Sequence, residues 1–164
     1  MSAVHKFALA TAILLAVAAP ANAQNYGPYG QNTGFDWDGF YAGVYGGGVP
    51  VGTTSWNVGI FTGVNVAIDS AVFGVEAQLG ADFGPGLGLD ALLLGKAGMT
   101  LGDILVYGTA GTGFVHGGFG YAVGGGGEYA FTDSMSGRVE ALGLGTWGGG
   151  LSALRLTAGV AFHL

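Results

Sequence analysis

Residues 153–164 alternate with a period of two. Leu154, Leu156, Ala158, Val160 and Phe162 form one unbroken apolar series, and Ala153, Arg155, Thr157, Gly159, Ala161 and His163 form the other. Successive side chains of a β-strand point to opposite faces, so this period fits a strand and not a helix. One face is apolar throughout while the other carries Arg155, Thr157 and His163. That division predicts the closing strand of a membrane β-barrel, greasy outside and more polar within.

The other end of the chain reads as an export signal. His5 and Lys6 precede an apolar run over 7–19, followed by Pro20 and the small-residue pattern Ala21-Asn22-Ala23. The run is shorter than the roughly 20 residues a membrane-spanning helix needs, so cleavage after Ala23 is expected and the mature chain begins at Gln24. Residues 24–35, with Pro28 and several Gly, Asn and Gln, show no periodicity and read as a short polar periplasmic leader. The barrel is expected over 36–164.

Composition narrows the alternatives. Removing the leader peptide leaves three Lys and Arg against ten acidic residues, a net charge of 3 − 10 = −7. Three scattered cations cannot build the basic face that nucleic acid demands. Cysteine is absent, so no disulfide can brace the exported chain. After Ala23 no apolar stretch is long enough for a helical membrane span. Glycine is abundant, 36 of 164, but without a Gly-X-Y period. A flexible Gly-rich secreted chain is the bland alternative, and regular alternation between turn signals argues against it.

Eight alternating segments follow, over 39–47, 56–68, 71–83, 87–101, 104–115, 118–131, 135–147 and 152–164. The groups Asp69-Ser70, Gly102-Asp103 and Thr132-Asp133-Ser134 separate them as tight turns, expected on the periplasmic side. The remaining connections, around 48–55, 84–86, 116–117 and 148–150, are short and expected to face outward.

The charges assign the two faces. In the third segment Phe73, Val75, Ala77, Leu79 and Ala81 fall on one side, and Glu76, Gln78 and Asp82 on the other. The fourth sets Leu87, Leu89, Ala91, Leu93, Ala97 and Met99 against Asp90, Lys96 and Thr100. The sixth and seventh continue the pattern with Glu128, Arg138 and Glu140 inward, although Leu142 and Leu144 break the apolar-out rule. Each cation on the lipid face would cost up to about 2–4 kcal/mol near the bilayer midplane, so the cations belong inside. The first and fifth segments are ambiguous, and Tyr41, Tyr45 and Tyr107 are placed inward. Outward aromatics gather at the segment ends: Phe40, Phe73, Tyr129, Phe131 and Phe162 at one boundary, and Trp56, Phe83, Phe114, Phe119, Tyr121 and Trp147 at the other. Such banding is that of two interfacial girdles. Unpaired sheet edges cannot be satisfied in hydrocarbon, so the first and last segments are expected to pair. Inward Gly124 and Gly126 are expected to make room for long side chains, and outward Gly125 and Gly127 to be covered by neighbouring aromatics.

Over 37–164 the chain resembles the opacity-type outer membrane β-barrel family common in alphaproteobacteria, itself similar to the OmpA transmembrane barrel. The matching pieces are Trp37-Asp38-Gly39-Phe40-Tyr41-Ala42-Gly43, Phe73-Gly74-Val75-Glu76, Gly127-Glu128-Tyr129 and the C-terminal strand. The resemblance implies an eight-stranded antiparallel up-and-down barrel in the Gram-negative outer membrane, structural or surface-exposed and not a catalyst. It implies lipid and lipopolysaccharide around the barrel, with the barrel-assembly machinery and periplasmic chaperones as partners during biogenesis, and a monomer. An assembly signal would fall on Gly159, Phe162 and Leu164. The family usually ends on Phe, and its Glu-Tyr-x-Tyr pattern is replaced here by Glu140-Ala141-Leu142-Gly143. Weaker recognition by the assembly machinery is expected from both departures.

Glu76, Lys96, Glu128, Arg138, Glu140 and Arg155 could line an ion path or pair across the lumen as a plug. An eight-stranded barrel is only wide enough for its own side chains, which favours the plug over a narrow porin. The mature histidines, His116 and His163, fall at opposite ends. They make no metal site, and no spacing requires His116 to meet Ser55 or Asp82 as a catalytic group. No enzyme activity and no cofactor are expected. The glycine-rich segment 108–113 lacks the Gly-Lys-Ser or Gly-Lys-Thr and the helix of a phosphate loop. A surface adhesin using Thr53, Thr54, Ser55 and Trp56 is the second reading, disfavoured by loops too short to wrap a large ligand.

Overall fold

The computed structural model describes residues 34–115 and 117–164. The expected signal peptide, the leader up to residue 33 and His116 lie outside the described residues. Eight strands succeed one another: β1 (Gly39–Val51), β2 (Ser55–Ile68), β3 (Ala71–Phe83), β4 (Leu87–Leu101), β5 (Ile104–Val115), β6 (Gly118–Thr132), β7 (Met135–Thr146) and β8 (Leu151–His163). Each is antiparallel to its neighbours in sequence, and β1 pairs with β8 to close the barrel. Among the described residues no helix is long and apolar enough to cross a membrane, a test that says nothing of strands.

Strand limits agree with the periodicity to within a residue except in β1, which continues through Gly48, Val49 and Pro50 to Val51. Glycine and proline there resemble a loop in sequence. Its ladder to β8 shifts register between Gly48 and Val51, and such an irregularity is where a strand tolerates a residue without an N–H. The expected loop over 48–55 therefore shrinks to 52–54, and Ser55 points inward. At the end that carries the first and last strand termini, called the terminal end below, the connections are tight. Asp69 takes a left-handed φ of 54° and Gly102 one of 65° to turn the chain.

The faces are sorted as the charges require. Val75 is 51% exposed and its neighbour Glu76 only 2%. Phe73, Leu79, Leu89, Leu93, Val106, Val139 and Leu156 look outward with Val75. Exposed Trp56, Phe83, Phe114, Phe119 and Trp147 band the far end, and Phe73, Tyr129, Phe131 and Phe162 the terminal end. Gly125 and Gly127 depart from expectation. No aromatic covers them; with Gly46, Val106, Ala141, Leu156 and Ala158 they line a shallow depression on the outer wall.

Inside, rings and glycines are matched in register. Tyr41 pairs with Gly63, Tyr45 with Gly59 and Phe61 with Gly43 across β1 and β2. Tyr45 also faces Gly159 on β8, and Tyr107 lies between Gly98 and Gly126. A methyl at Gly63 would stand 2.6 Å from the Tyr41 hydroxyl oxygen, and one at Gly43 would stand 2.3 Å from the Phe61 ring. These glycines let each ring lie flat against the opposite strand, which is how so narrow a bore accepts four inward aromatics.

Candidate functional site

The strongest candidate is the charged network that crosses the barrel at mid-height. Glu76 on β3 and Arg138 on β7 sit four strands apart in an eight-stranded ring, on opposite walls, and their side chains meet at 2.7 Å. Arg138 also grips Glu140, two residues along its own strand. Gln78 donates to both acids, at 2.8 Å to Glu76 Oε1 and 2.9 Å to Glu140 Oε1. The Tyr41 hydroxyl donates to Glu76 at 2.7 Å and that of Tyr107 to Glu140 at 3.0 Å. The Phe61 ring lies 4.2 Å from the Arg138 guanidinium carbon, so the cation is covered by a π face where it lacks an oxygen.

Lys96 binds Glu128 at 3.1 Å and lies over the rings of both Tyr41 and Tyr107. Arg155 donates to Gln78 Oε1 at 2.7 Å and faces Asp90 at 3.4 Å. All six charged residues singled out from the sequence are thus buried in the lumen, and the structure joins them into one connected system. Gln78, Asp90, Tyr41, Tyr107 and Phe61 complete it. The inward phase of Gln78, Asp90, Tyr41 and Tyr107 was legible and that of Phe61 was not, and the role of each as a connector escaped because alternation along one strand does not say which residue lies opposite across the bore.

Below this network, Trp37 closes the terminal mouth. It packs under Val72, Leu105, Tyr107 and Ala130, with Phe35 against it. Asp38 accepts from the Ala67 amide at 2.9 Å, and the Phe35 amide donates to Asp103 at 3.1 Å, which fixes the segment across the opening. His163 stacks on Tyr41 and meets Trp37 and Phe35 edge-on.

Ser136 stands 3.0 Å from His163 Nε2, a spacing found in nucleophile and base pairs. Its Oγ donates to Glu128 Oε2 at 3.2 Å, so His163 Nε2–H is the donor to Ser136. The proton order runs from His163 to Ser136 to Glu128, the reverse of what activates a serine. Ser136 is also fully buried. This chain of bonds ties β8 to β7 and β6 and offers no attacking oxygen. His116 lies outside the described residues, and among the described residues no three of His, Cys, Asp and Glu converge on a metal site.

Above the network the lumen is divided. Leu92, Leu94, Val115, Ala122, Leu142 and Leu144 form a dry wall from β4 to β7. Leu142 and Leu144, which seemed to break the sorting of faces, are 1% and 0% exposed because this part of the interior is itself apolar. The opposite wall, from β1 to β4, carries Tyr45, Ser55, Asn57, Asp82 and Asp90.

The exposed charges are one-sided as well. Asp36, Asp38, Asp69, Asp103 and Asp133 all lie at the terminal end, while the described residues of the far connections carry no charge. Of the expected assembly residues, Phe162 and Leu164 are exposed on the outer wall and end of β8, and Gly159 faces inward against Tyr45.

No family model and no curated protein matches the chain. Among solved structures it is similar to one described as "De novo design of transmembrane beta-barrels", with a TM-score of 0.59 and 15% identity, covering 79% of this chain and 98% of that one. At that identity the likeness is one of fold, and it agrees with the apolar outer wall and buried charges. The chain has the fold of a transmembrane β-barrel, with eight antiparallel strands and short connections.

Proposed function

We propose that the protein is a structural barrel of the Gram-negative outer membrane, exported by the segment 1–23, whose lumen is plugged by its own side chains and conducts no ions. One observation carries this reading: Arg138 reaches across the bore to Glu76 while holding Glu140, so the salt bridge stands in the path an ion would take. The aromatic cap at Trp37 and the dry far wall add obstacles below and above it. No catalytic role belongs to this reading.

Kinship with opacity-type and OmpA-like barrels rests on the opening segment from Trp37 and on the ordered pieces around Glu76 and Glu128. The terminal end is assigned to the periplasm, since five carboxylates there would be repelled by lipopolysaccharide phosphates. The far connections 52–54, 84–86 and 147–150 are then buried among sugars, too short and too neutral for an adhesin. Ser55, once a candidate contact, faces the lumen. The partners are outer-membrane lipid and lipopolysaccharide, together with chaperones and the assembly machinery reading Gly159, Phe162 and Leu164, and the working unit is a monomer.

Planar bilayers test the plug directly. The purified protein is expected to add no stable conductance, and reproducible open-channel steps would refute it. Location is tested by fractionation, with boiled and unboiled samples of the outer-membrane fraction expected to migrate differently on a denaturing gel.

A further inference from the structure

Residues 35–38 precede β1, yet most of the bonds they make reach distant parts of the chain. The Phe35 amide donates to Asp103 in the turn between β4 and β5 at 3.1 Å, and Trp37 Nε1 donates to the Gly102 carbonyl of the same turn at 3.5 Å. Asp38 accepts from the Ala67 amide of β2 at 2.9 Å. The Trp37 ring packs with Val72 of β3, Leu105 and Tyr107 of β5 and Ala130 of β6. Phe35 and Trp37 meet the ring of His163 on β8 edge-on, with centroids 4.8 and 5.5 Å away. This short segment therefore leans on β2, β3, β5, β6 and β8 together. Since β8 comes beside β1 only through the seam that closes the barrel, such a seat is complete only when the ring is whole.

A second observation concerns the ends of the segment. Gly39 joins it to β1 with a φ of 103°, which glycine adopts freely and other residues adopt only under strain. A methyl there would also stand 3.3 Å from the Leu164 carbonyl. At the other end a methyl on Gly34 would lie 2.9 Å from the Gly102 carbonyl oxygen, so the chain is pressed against the turn it crosses. Between them the Asp38 amide donates to Asp36 at 3.0 Å and rounds the bend. Glycine at both ends fits a strap that is folded back across the mouth.

We propose that residues 35–38 are a latch that swings under the terminal mouth about Gly39 after β1 has joined β8. It holds the ring shut. Contacts made after the folding barrier has been crossed must be broken before the chain can unfold, so the latch slows unfolding and leaves the rate of folding unchanged.

The test takes the purified protein into and out of lipid vesicles by urea jumps, reading the closed barrel as the band whose mobility changes on boiling. In a Trp56→Phe/Trp147→Phe protein Trp37 is the one tryptophan left, and its emission is expected to reach the folded value together with that band or after it. Trp37→Ala should unfold about tenfold faster or more, and fold within about twofold of the parent. Gly39→Ala, which leaves every latch side chain in place, should unfold several-fold faster with folding again unchanged. If Trp37→Ala gives no folded band, Phe35→Ala and Asp38→Ala decide by the same two rates. The proposal is overturned if Trp37 emission settles before the band forms, if Trp37→Ala slows folding as much as it speeds unfolding, or if Gly39→Ala unfolds at the parent rate. Unfolding at the parent rate in folded Trp37→Ala, or in both Phe35→Ala and Asp38→Ala, overturns it equally.

Discussion

Tyr41 and Tyr45 lie four residues apart on the same inward face of β1, both buried and both resting on glycines of β2. Tyr41 donates to Glu76 and shares its ring with Lys96 and His163. Tyr45 stacks on Phe61 and lies near Arg155, but its hydroxyl has no hydrogen-bond partner among the described residues. The two residues stand for two halves of one lumen. In the half toward the terminal end, ionic and aromatic groups complete one another. In the far half an apolar wall faces a polar one, where the buried oxygens of Tyr45, Ser55 and Asn57 have no hydrogen-bond partner among the described residues. Buried polar groups that complete one another rigidify the half around Glu76, whereas the Tyr45 hydroxyl adds little of that kind.

The largest way to break this contrast is Arg138→Ala. Two buried glutamates lose their shared cation, and a loss of about 3–5 kcal/mol is expected from urea unfolding in lipid vesicles. Leu144→Ala probes the dry wall, where no charge is involved. The cavity it leaves should cost about 2–4 kcal/mol by the same measurement. Tyr41→Phe removes a hydrogen bond to a carboxylate and should cost about 2 kcal/mol. Ser136→Ala cuts the link between His163 and Glu128 and should cost about 1 kcal/mol. Tyr45→Phe should fall within about 0.5 kcal/mol of the parent by the same measurement, because its hydroxyl makes no hydrogen bond among the described residues. Equal costs for the two tyrosine variants would erase the distinction between the halves.

Much of this architecture was legible in the sequence. Strong alternation set the limits of β2 to β8, and charge placement set the inward phase of Glu76, Lys96, Glu128, Arg138, Glu140 and Arg155. What escaped depended on distances across the bore. Leu142 and Leu144 looked like errors of sorting because a one-strand view assumes a uniformly polar interior. Phe61 had no assigned side, and only the glycine opposite it explains how it fits. Trp37 opened the resemblance to known barrels, but nothing local to residues 35–38 shows that they fold back under the mouth. The extension of β1 was hidden by Pro50, whose tolerance depends on a register shift with β8. The bond from Ser136 to His163 joins residues on separate strands whose alignment is set only when the sheet closes.

That closure has a consequence for how the molecule is made. Tyr41 meets His163 and the Leu164 amide donates to the Phe40 carbonyl, so the final seam unites the first strand with the last. Before it zips, both margins of the sheet bear raw peptide groups that hydrocarbon cannot solvate, and no half-built cylinder is a comfortable lodger in a bilayer. Insertion and ring completion are therefore expected to proceed as a single concerted event, slow by virtue of its topology, with the naked margins prone until then to find each other on neighbouring chains.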